Sequence, residues 1–85
     1  MTHSYKTRGT CSRQIDFELE NGIVKNVSFF GGCNGNLKGI GALVEGRPAE
    51  EVITLLKGMK CGFKNTSCPD QLALALEKAL DDENK

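Results

Sequence analysis

Four cysteines are the residues of this sequence that are best suited to chemistry: Cys11, Cys33, Cys61 and Cys68. Thiolate sulfur is a ligand for zinc and for iron–sulfur clusters, and it is also a nucleophile and a redox group. No pair has the C-x-x-C spacing, so spacing alone gives weak support for a metal site. The argument for a shared site must therefore come from the elements that position the cysteines.

The last cysteine stands at the start of a predicted helix. Cys68 is followed by Pro69 and Asp70; proline is favoured at the first helical position and keeps the residue before it out of the helical conformation. We therefore predict Cys68 as the N-cap of a helix that runs to about Asp82, with Asp70 stabilised in the first turn by the helix dipole. Unpaired backbone N–H groups at that position stabilise a thiolate. For a lone cysteine, a buried structural role is the plainer interpretation.

A β-hairpin is predicted before the helices. Residues 13–20 alternate between apolar and polar side chains, which is typical of a half-buried strand. A second strand runs from Ile23 to about Phe30, and 20–22 form a three-residue loop in which Gly22 takes the left-handed conformation. A short edge strand near Tyr5 would extend this hairpin into a three-stranded sheet.

The predicted register brings two cysteines to one end of the hairpin. A three-residue loop pairs Cys11 with Gly31, and Cys33 follows Gly31 by two residues. The same register places Lys25 opposite Phe17, which is a poor match of a charged with an apolar side chain.

Three helical segments follow the hairpin. The first covers 37–44 and contains Gly39 and Gly41, which indicate close backbone packing because glycine costs about 1 kcal/mol relative to alanine inside a helix. The second begins after Pro48 and ends near Gly58 or Gly62, so Cys61 follows its last turn and the short connection can bring it near Cys68. Its apolar stripe comprises Val52, Ile53, Leu55, Leu56 and Met59, and we interpret Met59 as a core residue rather than a ligand.

These elements predict an α+β fold, with a small antiparallel β-hairpin or three-stranded sheet followed by three helices packed on one face. We expect a single domain over residues 1–85, with a polar N-terminus at 1–4 and a frayed tail at 82–85. His3 is expected to be solvent-exposed and not a ligand. No Ser–His–Asp or Cys–His catalytic set can be assembled from the sequence.

Composition excludes several classes of function. Eleven basic and eleven acidic residues give a formal net charge of zero, so no direct nucleic-acid binding is expected, although a nucleotide ligand remains open. No apolar run is long enough for a membrane span, and the N-terminus lacks a signal-peptide pattern, so we expect a cytoplasmic protein without a membrane partner. In that compartment cysteines serve as metal ligands or reactive thiols more often than as disulfides.

All four cysteines lie at ends of predicted elements. If the helices pack on one face of the hairpin, one end of the domain gathers Cys11, Cys33, Cys61 and Cys68 into a tetrahedral zinc site. The same thiolates would suit an iron–sulfur cluster. Four unlinked thiols, or a redox pair of Cys61 with Cys68, are the competing interpretations.

The motif Thr66-Ser67-Cys68-Pro69-Asp70 resembles the name-giving signature of the TSCPD domain. The surrounding segments 61–65, 29–36 and 9–12 are similar to the stand-alone, four-cysteine form of that family. Related domains occur at the C-terminal end of a class of ribonucleotide reductases, typically those that depend on adenosylcobalamin. The resemblance therefore implies an association with ribonucleoside-diphosphate reduction and DNA precursor supply, and a ribonucleotide reductase or another larger protein as partner.

The order of elements also resembles iron–sulfur cluster scaffolds of the NifU-like kind. Cys11, Cys33 and Cys68 fall where those scaffolds carry three cluster cysteines, whereas Arg13 replaces the aspartate that follows the first of them. The additional Cys61 would close the site, which favours a tightly held metal over a labile cluster. Ribonucleotide reduction by these residues alone is physically implausible, because they leave no room for a radical-generating cofactor and a substrate barrel.

Overall fold

A three-stranded antiparallel sheet forms one layer of the fold, and three helices form the other. The computed structural model describes residues 2–10, 12–31, 34–59 and 66–83, with the backbone alone at 34–36. The strands lie in the order β1-β2-β3, and the predicted α+β fold with a three-stranded sheet followed by three helices is confirmed. The elements are β1 (Thr2–Lys6), β2 (Ser12–Glu20), β3 (Ile23–Gly31), α1 (Asn34–Val44), α2 (Ala49–Leu56) and α3 (Cys68–Glu83).

The β2–β3 hairpin has a two-residue loop, and the prediction of a three-residue loop is wrong. Asn21 has φ 52° and Gly22 has φ 80°, which is the left-handed pair of a type I′ turn, and Glu20 pairs with Ile23. Asparagine tolerates this conformation because its short polar side chain can hydrogen-bond locally. The register is therefore shifted by one residue from the loop onwards.

This shift explains the position of Lys25. Lys25 pairs with Glu18 rather than Phe17, and its ammonium donates a hydrogen bond of 2.7 Å to Glu20 Oε2. That hydrogen bond lowers the pKa of the Glu20 carboxyl and raises the pKa of Lys25. The charged side chain therefore lies on the solvated face of the sheet, away from the core.

Two irregularities shift the register further along the hairpin. The first lies between the pairs of Asp16 and Glu18, where Asn26 has φ 53°; its side chain donates to Glu18 Oε2. The second lies near the far end, where Gly31 pairs with Ser12. The prediction that Gly31 pairs with residue 11 is therefore wrong.

The core lies between the apolar face of the sheet and the helices. It follows the predicted alternation in β2, and α3 contributes its most continuous apolar stripe. Since each fully buried aliphatic or aromatic side chain contributes about 1.5–3 kcal/mol, this layer supplies most of the stabilisation. The buried core residues are Ile15, Phe17, Leu19, Val24, Val44, Ala49, Val52, Leu72, Ala75, Leu76 and Ala79.

The turn between α1 and α2 covers part of the outer edge of β3. Val24 exchanges backbone hydrogen bonds with this turn, donating to Arg47 O at 2.9 Å and accepting from the Gly46 N–H at 2.8 Å. The Ala49 N–H donates to Gly22 O at 2.7 Å. The two bonds of Val24 satisfy edge groups of β3 that would otherwise be open to pairing with another strand.

Two residues of the predicted α2 stripe are not in the core. The helix ends at Leu56, so Met59 lies beyond its last turn and is 48% exposed. Leu55 is 58% exposed, whereas Val52 on the same helix is buried in the core. The interpretation of Met59 as a core residue is therefore wrong, and the exposure of Leu55 breaks the predicted stripe.

His3 is held against the sheet, and the prediction that it is solvent-exposed is wrong. Its ring stacks on Phe17 with the centroids 5.4 Å apart, and its Nε2 is hydrogen-bonded with Glu83 Oε2 at 2.5 Å. The side chain is only 15% exposed. Both partners are distant in sequence, so no local pattern indicates this position.

Among the described helices, none is long and apolar enough to cross a membrane.

One of the two helix glycines marks a close backbone approach. A Cβ added to Gly41 would lie 3.2 Å from Val27 O, whereas a Cβ at Gly39 would meet nothing within 4 Å. The prediction of close packing is confirmed at Gly41 and wrong at Gly39.

This difference provides a matched test within α1. Gly39→Ala is expected to raise the free energy of unfolding by about 1 kcal/mol, because alanine restricts the unfolded chain and favours the helix. Gly41→Ala should gain clearly less or destabilise, because its methyl group presses on the backbone of β3. Urea denaturation of both variants measures the difference, and equal stabilities would contradict the close approach.

Candidate metal centre

The structure describes one of the four predicted metal ligands, Cys68. Cys11, Cys33 and Cys61 lie outside the described residues, so the shared four-cysteine site stays a prediction. Within the described ranges, no group of three or more His, Cys, Asp or Glu side chains could hold a metal ion. The geometry that bears on the site is therefore that of Cys68 and of the described neighbours of the other three cysteines.

Ser67, not Cys68, is the N-cap of α3. Ser67 O accepts the first helical hydrogen bond, from the Gln71 N–H at 2.8 Å, and Ser67 Oγ accepts the Asp70 N–H at 3.2 Å. Cys68 is the first residue of the helix and Pro69 the second. Proline is tolerated there because the first four N–H groups of a helix have no partner inside it. The predicted N-cap is thus wrong by one residue, since a serine oxygen accepts the N–H of the first turn well, whereas a thiol sulfur is a weak acceptor.

The Asp70 carboxylate ties the start of α3 to the end of α2. It is 7% exposed, and it accepts the Gly58 N–H at 2.7 Å through Oδ1 and the Thr66 hydroxyl through Oδ2. Ser67 adds a parallel connection, because its Oγ donates to Met59 O at 2.7 Å. Hydrogen bonds to an ionised acceptor are about twice as strong as neutral ones. The polar clamp formed in this way joins the end of α2 to the start of α3, and it comprises five residues: Gly58, Met59, Thr66, Ser67 and Asp70.

Gln71 extends this clamp to the segment between β1 and β2. Its Nε2 donates to Thr66 Oγ1 at 3.0 Å, and its Oε1 accepts the Arg8 N–H at 3.1 Å. Gly9 lies close by, because a Cβ at this position would approach Thr66 Cγ2 to 3.2 Å. The start of α3 is therefore anchored to two different parts of the chain.

The sulfur of Cys68 contacts the sheet. Ser12 Oγ lies 3.3 Å from Cys68 Sγ, which is within hydrogen-bonding distance for sulfur. Ser12 is only 4% exposed and pairs with Gly31 across the hairpin. The sequence did not indicate Ser12, because only the folded register places this hydroxyl beside α3. By contrast, the Ser67-x-x-Asp70 spacing could have indicated the cap.

The described neighbours of all four cysteines meet around this contact. Gly31 precedes Cys33 by two residues and pairs with Ser12, which directly follows Cys11. Ser12 contacts Cys68. Ser67, the residue before Cys68, bonds to Met59, which precedes Cys61 by two residues. One end of the domain therefore brings together described residues that lie one or two positions from Cys11, Cys33 and Cys61, beside Cys68 itself.

This end of the domain offers a thiol beside a polar network. Cys68 lies in the first turn of α3, where backbone N–H groups carry partial positive charge and favour an anionic sulfur. A thiolate at that position can bind a soft or borderline metal or can react with an electrophile.

The clamp can be tested through its buried carboxylate. Asp70→Ala leaves the Gly58 N–H and the Thr66 hydroxyl without their acceptor, and should lower the free energy of unfolding by about 2–4 kcal/mol. Asp70→Asn retains one acceptor oxygen and should cost less. Urea denaturation at equal metal content measures both effects. The control Asp81→Ala, on the exposed end of the same helix, should change stability little; a similar small effect of Asp70→Ala would contradict the clamp.

Comparisons with known proteins bear on the family. No curated protein and no solved structure gives a match, so the likeness to iron–sulfur scaffolds stays a prediction. A comparison with protein families matches residues 1–80 to the TSCPD domain. Because this match covers nearly the whole sequence of 85 residues, the chain belongs to the TSCPD domain family.

Proposed function

We propose that this chain is a metal-binding accessory module that holds one zinc ion on Cys11, Cys33, Cys61 and Cys68. The observation that carries the proposal is the convergence of the described neighbours of these cysteines at one end of the domain. The link runs from Gly31 through Ser12 to Cys68, and from Ser67 to Met59.

The donor set fits zinc. Four cysteine thiolates are a standard ligand set of structural zinc sites, which are closed and tetrahedral. Zinc in such a site contributes folding free energy directly, which matters for a domain of 85 residues with a small core. The ion would connect α3 and the connection before it to the β2–β3 hairpin, in parallel with the polar clamp of Ser67 and Asp70.

The wider role that we propose rests on the family resemblance. Related domains accompany ribonucleotide reductases, so the module would serve such an enzyme, or another larger protein, in ribonucleoside-diphosphate reduction and DNA precursor synthesis. Within this role the chain would be a binding module or a nucleotide-responsive partner, while the radical chemistry would belong to the larger enzyme. A cytoplasmic location follows from the same proposal.

Metal analysis tests the identity of the bound ion. Protein produced without added metal should contain about one zinc per chain, and chelation should release the ion and lower the unfolding temperature, because zinc binds only the folded site. Mass spectrometry under native conditions measures the stoichiometry. Iron with visible absorption would instead support a cluster scaffold, and a fully folded metal-free chain with four reactive thiols would exclude both.

Single cysteine variants test whether the four residues form one site. Cys33→Ser and Cys61→Ser should weaken zinc binding as strongly as Cys68→Ser, since removing any one of four thiolates opens the tetrahedral set. Competition with a chromophoric chelator measures the affinities. Ser28→Ala, an exposed position on β3, is the control and should bind zinc as the wild type does. If only Cys61 and Cys68 matter, a redox pair becomes the better interpretation.

A further inference from the structure

The contact between Ser12 and Cys68 joins a hydroxyl and a sulfur that are partly buried and come from distant parts of the chain. Their Oγ and Sγ atoms lie 3.3 Å apart, and 56 positions separate the two residues. Ser12 is a nearly buried polar residue on a strand whose other inward side chains are apolar. Burying a hydroxyl costs free energy unless it is hydrogen-bonded, so the position needs a polar partner.

Two further hydroxyls surround Ser12. Thr10 Oγ1 lies 3.2 Å from Ser12 Oγ and 3.3 Å from Ser12 O. Thr7 Oγ1 donates to the same carbonyl oxygen. Thr10 donates towards Ser12 O, whose second lone pair is available beside the one that accepts Thr7, and the Thr10 proton can be shared between Ser12 O and Ser12 Oγ. Ser12 can then accept a hydrogen bond from Thr10 while its own proton points elsewhere.

The number of available protons determines which atom donates in the hydrogen bond between Ser12 Oγ and Cys68 Sγ. A hydroxyl carries one proton, and a metal-bound cysteine carries none. When Cys68 is a thiolate, its sulfur can only accept, so the proton between Oγ and Sγ must come from Ser12. The chain of donors then runs from Thr10 to Ser12 and from Ser12 to Cys68, and each bond polarises the next.

We propose that Ser12 is a positioning residue of the metal site, whose hydroxyl donates a hydrogen bond to the Cys68 thiolate. This inference rests on the proposed zinc site and adds a residue outside the four cysteines to it. The bond holds the sulfur in one orientation, as partners of metal ligands do in other sites, and this fixed orientation raises metal affinity. Because the hydrogen bond also stabilises the sulfur electrons, it makes the bound thiolate less reactive towards electrophiles and oxidants.

Cobalt substitution tests this role by spectroscopy. Ser12→Ala should bind Co²⁺ about 10–100-fold more weakly than the wild type, as expected for loss of a partner of a metal ligand. Its thiolate-to-cobalt charge-transfer bands should move to lower energy, because the sulfur electrons lose the stabilising proton. Ser12→Thr, which keeps the hydroxyl, should restore the band position. Partial unfolding alone would reduce the amount of Co²⁺-bound protein, but it would not move the charge-transfer bands of the molecules that still hold Co²⁺.

Ser28→Ala is the matched control, because it removes a strand serine hydroxyl that is exposed on β3. Equal affinities and equal band positions in Ser12→Ala and Ser28→Ala would overturn the proposal. If Ser12→Ala fails to fold, Thr10→Val decides, since it removes the hydroxyl that polarises Ser12 and leaves Ser12 itself in place. A smaller shift of the bands in the same direction supports the donor chain, and an unchanged spectrum overturns it.

The role of the Ser12 hydroxyl can be tested separately from the proposal that the four cysteines bind zinc. If the wild type takes up no Co²⁺, the proposed function fails, and the alkylation rate of Cys68 in the metal-free chain decides about Ser12. At about pH 10 an ordinary cysteine is ionised, so iodoacetamide reports the reactivity of the thiolate itself. Peptide mass spectrometry should show several-fold faster alkylation of Cys68 in Ser12→Ala than in wild type, Ser12→Thr or Ser28→Ala. Equal rates would overturn the assignment.

Discussion

The buried Asp70 carboxylate is the interaction on which the arrangement of α2 and α3 depends. A charge that is nearly removed from water must be paired or hydrogen-bonded, or it destabilises the fold. Here the two oxygens accept from Gly58 and Thr66, which lie outside α3. The carboxylate also lies in the first turn of the helix, where the dipole favours negative charge. The same group therefore stabilises the helix start and fixes that start against the end of α2.

Polar and apolar contacts have different tasks in this fold. Leu72 and Leu76 bury α3 against the sheet, but hydrophobic burial has no direction and permits a helix to slide along its axis. Hydrogen bonds do not permit this, because a shift of one residue would separate Asp70 from Gly58 and Gln71 from Arg8. The contact of Ser12 with Cys68 is possible because this polar end sets the axial position of the helix.

Periodicity in the sequence was sufficient for the elements but not for their register. The alternation in 13–20 and the apolar spacing in α3 predicted a strand and a helix with nearly the observed bounds. The register depends on Asn21 and Asn26, whose left-handed conformations determine the turn and a bulge. Asparagine adopts that conformation only in some contexts, so its presence did not determine where the strands slip. His3 was missed for a related reason, because Phe17 and Glu83 meet it only in the folded chain.

The signature of the family comprises four residues that build the start of α3 and one cysteine whose sulfur contacts the sheet. Ser67 caps the helix, Asp70 and Thr66 form the clamp, and Pro69 occupies a position where a missing N–H costs little. Cys68 alone directs a reactive atom towards the sheet, where it meets Ser12. The cap could be predicted from the local spacing. The contact of the sulfur could not, because Ser12 lies 56 positions before Cys68 in the sequence. A description of this site from its motif alone therefore omits the hydroxyl that lies against its sulfur.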